Sequence, residues 1–259
     1  MGWVNLCKWI MSVVIGLAGL WAAPALSREI VHDHIAEQNR LTPSCHTATG
    51  SDVSMATMAT LAKTKSGWTC SQENWRAHEP VAWLLFEREN WRGDGAPSYF
   101  FSRIARHKSI TFGVLETNGL VRTVKWSEDQ AVPVPMGPIF RLDLPELNAQ
   151  TQGLIVRIEA PHSVPLLTDA RLVYNPEDAG WSEYKVIIVA FVLGMLILPL
   201  FFDISFFIVL RERFILMHAV MVLAMMGYVL TAGGLISIFP YFSLRTIAVA
   251  GPLLWALGV

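Results

Sequence analysis

From Val186 to Leu210 the chain reads VIIVAFVLGMLILPLFFDISFFIVL, an almost unbroken apolar run. As a helix it is long enough to cross a hydrocarbon core of about 30 Å with some tilt. One acid, Asp203, interrupts it. The run ends in Arg211-Glu212-Arg213, and a second apolar run begins at Phe214. The whole chain is 53% hydrophobic and only 16% charged, where soluble domains carry roughly a quarter charged residues. That excess lies in the C-terminal third, so the expected layout is an external globular part followed by membrane-spanning helices. A net charge of −1 gives no electrostatic case for a nucleic-acid partner; lipid is the expected surrounding of the apolar third.

Residues 1–25 read as a secretory signal. Lys8 supplies the positive start, Ile10 to Trp21 the apolar stretch, and Ala23-Pro24-Ala25 the small residues of a cleavage site. Cys7 would leave with it. Cys45 and Cys70 remain, an even pair in an oxidising compartment, and a disulfide is expected between them. Residues 26–75 are otherwise hard to read. Ser54 to Lys65 is rich in helix formers and reads as a short helix inside the disulfide loop. His32 and His34 could ligate a metal only weakly, and His46 has no second Cys or His at ligand spacing beyond Cys45. No metal and no cofactor are expected.

Over residues 76–180 the apolar periodicity becomes two. Val81 to Phe86, Tyr99 to Ile104, Ser109 to Glu116, Leu120 to Ser127, Phe140 to Leu144, Leu154 to Glu159 and Leu172 to Tyr174 read as strands. Asn118-Gly119 is a hairpin signal, because both residues tolerate positive φ. Short strands at this spacing, with no helices between them, predict an antiparallel β-sandwich or jelly roll with one buried and one solvated face per sheet. The motifs of serine hydrolases, zinc proteases and nucleotide-binding loops are absent. Glu87 and Glu89 read as ordinary surface. Arg92-Gly93-Asp94 matches an adhesion tripeptide but reads as a turn. Five tryptophans, at 68, 75, 83, 91 and 126, stand out. Most belong in a core; an exposed one would offer a stacking surface to a flat ligand. Trp91, beside the polar turn, is the preferred candidate for exposure, and Trp91, Trp83 and Arg92 are the candidate ligand-binding residues.

The expected spans are about 185–210, 214–238 and an incomplete 246–259, within a membrane region 184–259. Trp181 and Tyr184 suit the outer interface. Pro199 should free the carbonyl of Met195 and bend the first span. Asp203 lies one turn on, and an acid inside a span needs protein, water or a partner to face. Pro199 and Asp203 are therefore the candidate relay residues. His218 reads as solvated near the inner surface, and Met217, Met221 and Met225 as packing. The short basic turn at 211–213 argues for a cytoplasmic loop, consistent with an exported N-terminal part. Residues 246–259 are too few to span a bilayer, which suggests that the chain is part of a longer protein.

This layout resembles the bacterial seven-transmembrane receptors with diverse intracellular signalling modules. The first-span pattern is similar: Gly194, the apolar run from Leu196 to Phe202, a polar residue at 203, Phe206-Phe207, then Leu210-Arg211-Glu212-Arg213. Asp203 stands where that family usually has Asn. The resemblance covers about residues 75–259 and leaves out the Cys45–Cys70 segment. It implies a periplasmic jelly-roll sensor on a bacterial inner membrane. The implied ligand is a periplasmic small molecule, with carbohydrate among the candidates. It also implies an output domain beyond this chain, a diguanylate cyclase or else a histidine kinase, and it is compatible with a homodimer. Two other classes stay open: a membrane-tethered periplasmic hydrolase or lyase, and an envelope protein that binds a partner protein.

Overall fold

The computed structural model describes residues 40–258 except 92–94, 118, 120, 136, 181–182 and 240. The signal sequence, His32 and His34, the 92–94 tripeptide, Asn118, Trp181 and Pro240 lie outside the described residues.

Among the described residues nine strands form two antiparallel sheets. In chain order they are β1 (Cys45–Thr49), β2 (Val81–Glu87), β3 (Tyr99–Arg103), β4 (Ser109–Glu116), β5 (Val121–Ser127), β6 (Val132–Val134), β7 (Ile139–Asp143), β8 (Thr151–Glu159) and β9 (Arg171–Val173). One sheet runs β1-β2-β8-β4-β5, the other β6-β7-β3-β9. The sheets share one core. Ala82, Leu84, Phe86, Ile110, Phe112, Val114, Leu154, Val156 and Ile158 come from the first sheet; Phe100, Phe140, Leu142 and Leu172 come from the second. Phe100 meets Phe112 edge to face at 5.4 Å, an arrangement that adds about 0.5–1.5 kcal/mol to the area term.

The outer face of the first sheet is not solvated at its centre. Val81, Trp83, Leu85 and Ile155 point away from the main core into a second cluster. Helix α1 (Met55–Thr64) and Trp68 cover them. Every residue from Val81 to Phe86 is consequently buried, which corrects the expectation of one wet face per sheet. A strand buried on both faces reads as a continuous apolar run, as β2 does. The helix sits close: a Cβ on Gly113 in β4 would fall 2.6 Å from the Met55 sulfur. α1 starts where Ser54 Oγ accepts the Thr57 N–H and ends at Lys65 in the left-handed region. The Cys45–Cys70 disulfide is formed and ties β1 to the segment after α1.

A single-turn helix α2 (Pro165–Thr168) closes one end of the core with Leu166 and Leu167. The connector Pro176–Ala179 then leads to the helices. Arg40 clamps it, with Nε donating to the Asp178 carbonyl and Nη2 to the Gly180 carbonyl, both at 2.7 Å. Arg171 donates to the Ala179 carbonyl as well, and burial among neighbouring cations pushes its pKa down to about 10.

Helices α3 (Glu183–Leu210) and α4 (Arg213–Ala232) are both long and apolar enough to cross a membrane. α3 passes through Pro199 as one helix. Two residues link α3 to α4; Arg211 takes a positive φ of 55° and its N–H caps the Phe207 carbonyl. The second helix stops at Ala232, short of the expected 238. Gly233-Gly234 breaks it, and a 3-10 turn follows at Leu235–Ile238. Helix α5 (Leu244–Gly258) starts two residues before the expected third segment, with Ser243 Oγ accepting the Thr246 N–H. α4 packs against both α3 and α5.

Candidate functional site

Three places in the fold bear on function: a cleft at the free edge of β1, the contact between sandwich and helices, and a polar pair between α3 and α4.

The disulfide builds the cleft. It draws the segment around Cys70 back along β1, where His46 and Thr69 exchange two backbone hydrogen bonds of 2.8 Å. The His46 ring then lies flat on Trp75, 3.8 Å between centroids and 13° between planes. His46 Nε2 donates to the carbonyls of Ser71 and Glu73 at 3.1 and 3.0 Å, and the Trp75 indole N–H donates to the Gln72 carbonyl. Side chain and backbone together hold this loop. Between it and the sheet lies a cleft of about 340 Å³. Its walls are polar on one side, with Thr47, Thr69, Asn74 and Arg76. They are apolar on the other, with Ala82, Leu84 and Leu167.

The expected ligand-binding residues fare unevenly. Trp83 borders the cleft but is fully buried, with its indole N–H on Thr49 Oγ1 at 2.8 Å and the Arg157 guanidinium over its ring. Trp91 is not exposed, which corrects the expectation placed on it. It is 9% accessible, belongs to the main core and carries the Arg88 guanidinium 5.1 Å above its ring. The polar turn that suggested exposure begins only after this residue. Arg92 lies outside the described residues. Glu87 pairs with Lys65 at 3.0 Å. The sequence reading missed His46 as a stacking partner, together with Trp75 and Arg76. A signal existed: a Cys45–Cys70 bond necessarily carries residues just beyond Cys70 toward His46.

The second place joins the two halves. Leu244, the first residue of α5, is 2% accessible and belongs to the sandwich core. Gly234 holds φ +75° against the Gly137 carbonyl; a Cβ there would fall 1.9 Å from that oxygen, so only glycine fits. Arg245 acts on the carboxylate of Glu128, and burial still pushes that carboxyl up. Nothing in the sequence showed that Leu244, just ahead of the expected third apolar segment, would enter the core of the sandwich.

The third place contains Asp203. His218 Nδ1 donates to Asp203 Oδ2 at 2.7 Å across the α3–α4 hairpin, and the Asp203 side chain is 14% accessible. His218 is therefore a partner of Asp203, while its own side chain stays 38% accessible. The sequence held this too, since both residues lie about two turns from the short link and so at similar depth. Comparison with known proteins finds no family model and no curated protein that matches this chain.

Proposed function

We propose that the chain is the sensory portion of a bacterial inner-membrane signal-transduction protein. The external sandwich, read as a jelly roll, binds a small molecule in the periplasm. α3 and α4 span the membrane and α5 begins a third span. They relay occupancy to a cytoplasmic output domain, for which the family resemblance implies a diguanylate cyclase or a histidine kinase. The observation that carries this reading is the burial of Leu244 in the sandwich core. A domain merely tethered to a membrane needs no shared core with its anchor, whereas a receptor needs a contact through which the two parts bias each other. Leu84 and Leu167, which wall the cleft, belong to the same core as Leu244.

The membrane placement is supported by α3. It carries no buried residue in its most apolar window, and Phe191 and Phe201 are 66% and 67% accessible. A helix of this kind in water would be an aggregation site; in lipid it is matched to its solvent. The hydrolase alternative finds no support in the cleft, because no Asp or Glu is among the described residues that line it. The partner-protein alternative needs a broad apolar patch; among the described sandwich residues the exposed large apolar side chains are the separated Val132 and Val164.

The reading frame beyond codon 259 tests the proposal most directly. A frame that runs through further spans into a cyclase or kinase domain supports it. A stop codon directly after Val259 removes the transmitter and overturns it. In the full-length protein, Asp203→Asn and Pro199→Ala should alter signalling; unchanged output in both would sink the relay role of these residues.

A further inference from the structure

We infer that the cleft at the β1 edge takes a small organic carboxylate, with Arg76 as its ionic anchor. This deepens the reading of the sandwich as a ligand-binding domain and rests on it. Arg76 lines the cleft and forms no ion pair or hydrogen bond with any described residue. Neither Glu73 nor Glu79, its acidic neighbours in sequence, pairs with it. Several other cationic side chains of the sandwich are engaged: Lys65 with Glu87, Arg157 with Glu159, and Arg40 and Arg171 with carbonyls of the connector. Arg76 is thus an exposed, unengaged guanidinium fork at the rim of a cavity, and such a fork matches a carboxylate with two parallel hydrogen bonds.

The remaining wall sets the rest of the ligand. No acid lines the cleft among the described residues, so a cation or amine finds no counter-charge there. Among the described residues Arg76 is the one Lys or Arg that lines the cleft, which matches a monoanion better than a phosphate dianion. Asn74, Thr47 and Thr69 add polar groups suited to a hydroxyl or second carboxylate oxygen. Ala82, Leu84 and Leu167 lie behind these groups, buried in the sandwich core, so the cleft offers little apolar surface and suits a small, mostly polar body. A volume of about 340 Å³ is at the small end for ligand sites. The loop that presents Arg76 is already fixed by the disulfide and the His46–Trp75 stack, so binding needs little ordering.

The test is calorimetric titration of the full chain in detergent micelles. The probes are D-glucuronate, lactate and benzoate, each paired with its neutral counterpart: D-glucose, lactamide and benzamide. At least one carboxylate should bind more tightly than its neutral counterpart by roughly tenfold or more. Arg76→Gln should weaken that binding by roughly tenfold to a hundredfold with unchanged thermal unfolding, and raised salt should weaken it in the parent chain. Arg88→Gln makes the same charge change away from the cleft, over Trp91, and should leave binding unaltered. The inference is overturned if no carboxylate binds below about 10 mM, if carboxylate and neutral counterpart bind alike, or if Arg76→Gln changes nothing. Any of these outcomes, alongside a downstream output domain, would remove the carboxylate and leave the receptor reading standing. Carboxylate binding with a stop codon after Val259 would do the reverse.

Discussion

Phenylalanine has opposite surroundings in the two halves of this molecule. Phe100, Phe112 and Phe140 are fully buried between the sheets, while Phe201 and Phe214 are 67% and 78% accessible on the helices. The same side chain is sequestered in one half and displayed in the other, a contrast that the proposed lipid surroundings of the helices account for. In water, burial of apolar area drives folding. In lipid it gives no advantage, and helices associate through packing and polar contacts instead. Under the proposed membrane placement the Asp203–His218 bond is such a contact.

That contrast makes a graded set of expectations. Phe112→Ala should be the most costly, about 3–5 kcal/mol, because it leaves a cavity against Phe100. Phe201→Ala, at an exposed helix position, should cost under about 0.5 kcal/mol. Thermal unfolding of both variants in detergent compares them, and equal losses would erase the distinction. Next comes the disulfide. Replacing Cys45 and Cys70 together by Ser should cost about 3 kcal/mol on the chain-entropy view and should loosen the loop that carries Arg76. Hydrogen exchange at residues 66–76 checks both effects.

Leu244→Ala tests the boundary between the halves. It should cost about 2–3 kcal/mol, as a core leucine does, although its helix belongs to the other half. A loss under about 0.5 kcal/mol would show that the sandwich core is complete without it. Asp203→Asn should cost less, about 1 kcal/mol, since hydrogen bonds between membrane helices average near 0.6 kcal/mol. The smallest effect is a pH slope. Burial lowers the His107 pKa below its ordinary 6.5, against the pull of its hydrogen bond with the Ala105 carbonyl. Below that value the unfolded chain binds the proton more readily than the folded one. The stability tied to the neutral ring is therefore full above about pH 6.5 and is lost as pH falls through the folded value. His107→Gln should flatten the dependence of the melting temperature between about pH 7.5 and 5.

Much of the sandwich could be read along the chain, since β2, β3, β4, β5, β7 and β8 all follow apolar patterns of their own. Even the helix Met55–Thr64 falls between its expected ends, Ser54 and Lys65 serving as its caps. β1 and β6 were not legible. β1 is polar and becomes a strand only by pairing with β2, and β6 is three residues long with a central proline. The cleft was not legible for a related reason. Its residues come from β1, from the loop after Cys70, from β2 and from α2, and only the disulfide and the sheet order bring them together. Local pattern reports what each stretch buries; it does not report what other stretches bury it with. Trp91 shows the same limit, because a polar turn next to it says nothing about the core on its other side.

Leu244 also has a consequence for assembly. The sandwich is finished, in chain order, by Val173, yet one side chain of its interior arrives only with α5, after the whole α3–α4 hairpin. A fragment ending near residue 180 would therefore be a domain with a socket and no plug. During synthesis the sheets can close early, but the last piece of their interior waits for the hairpin to be seated. Seating of the helices is then the final step in folding the sandwich, and a failure of either half would be felt in the other.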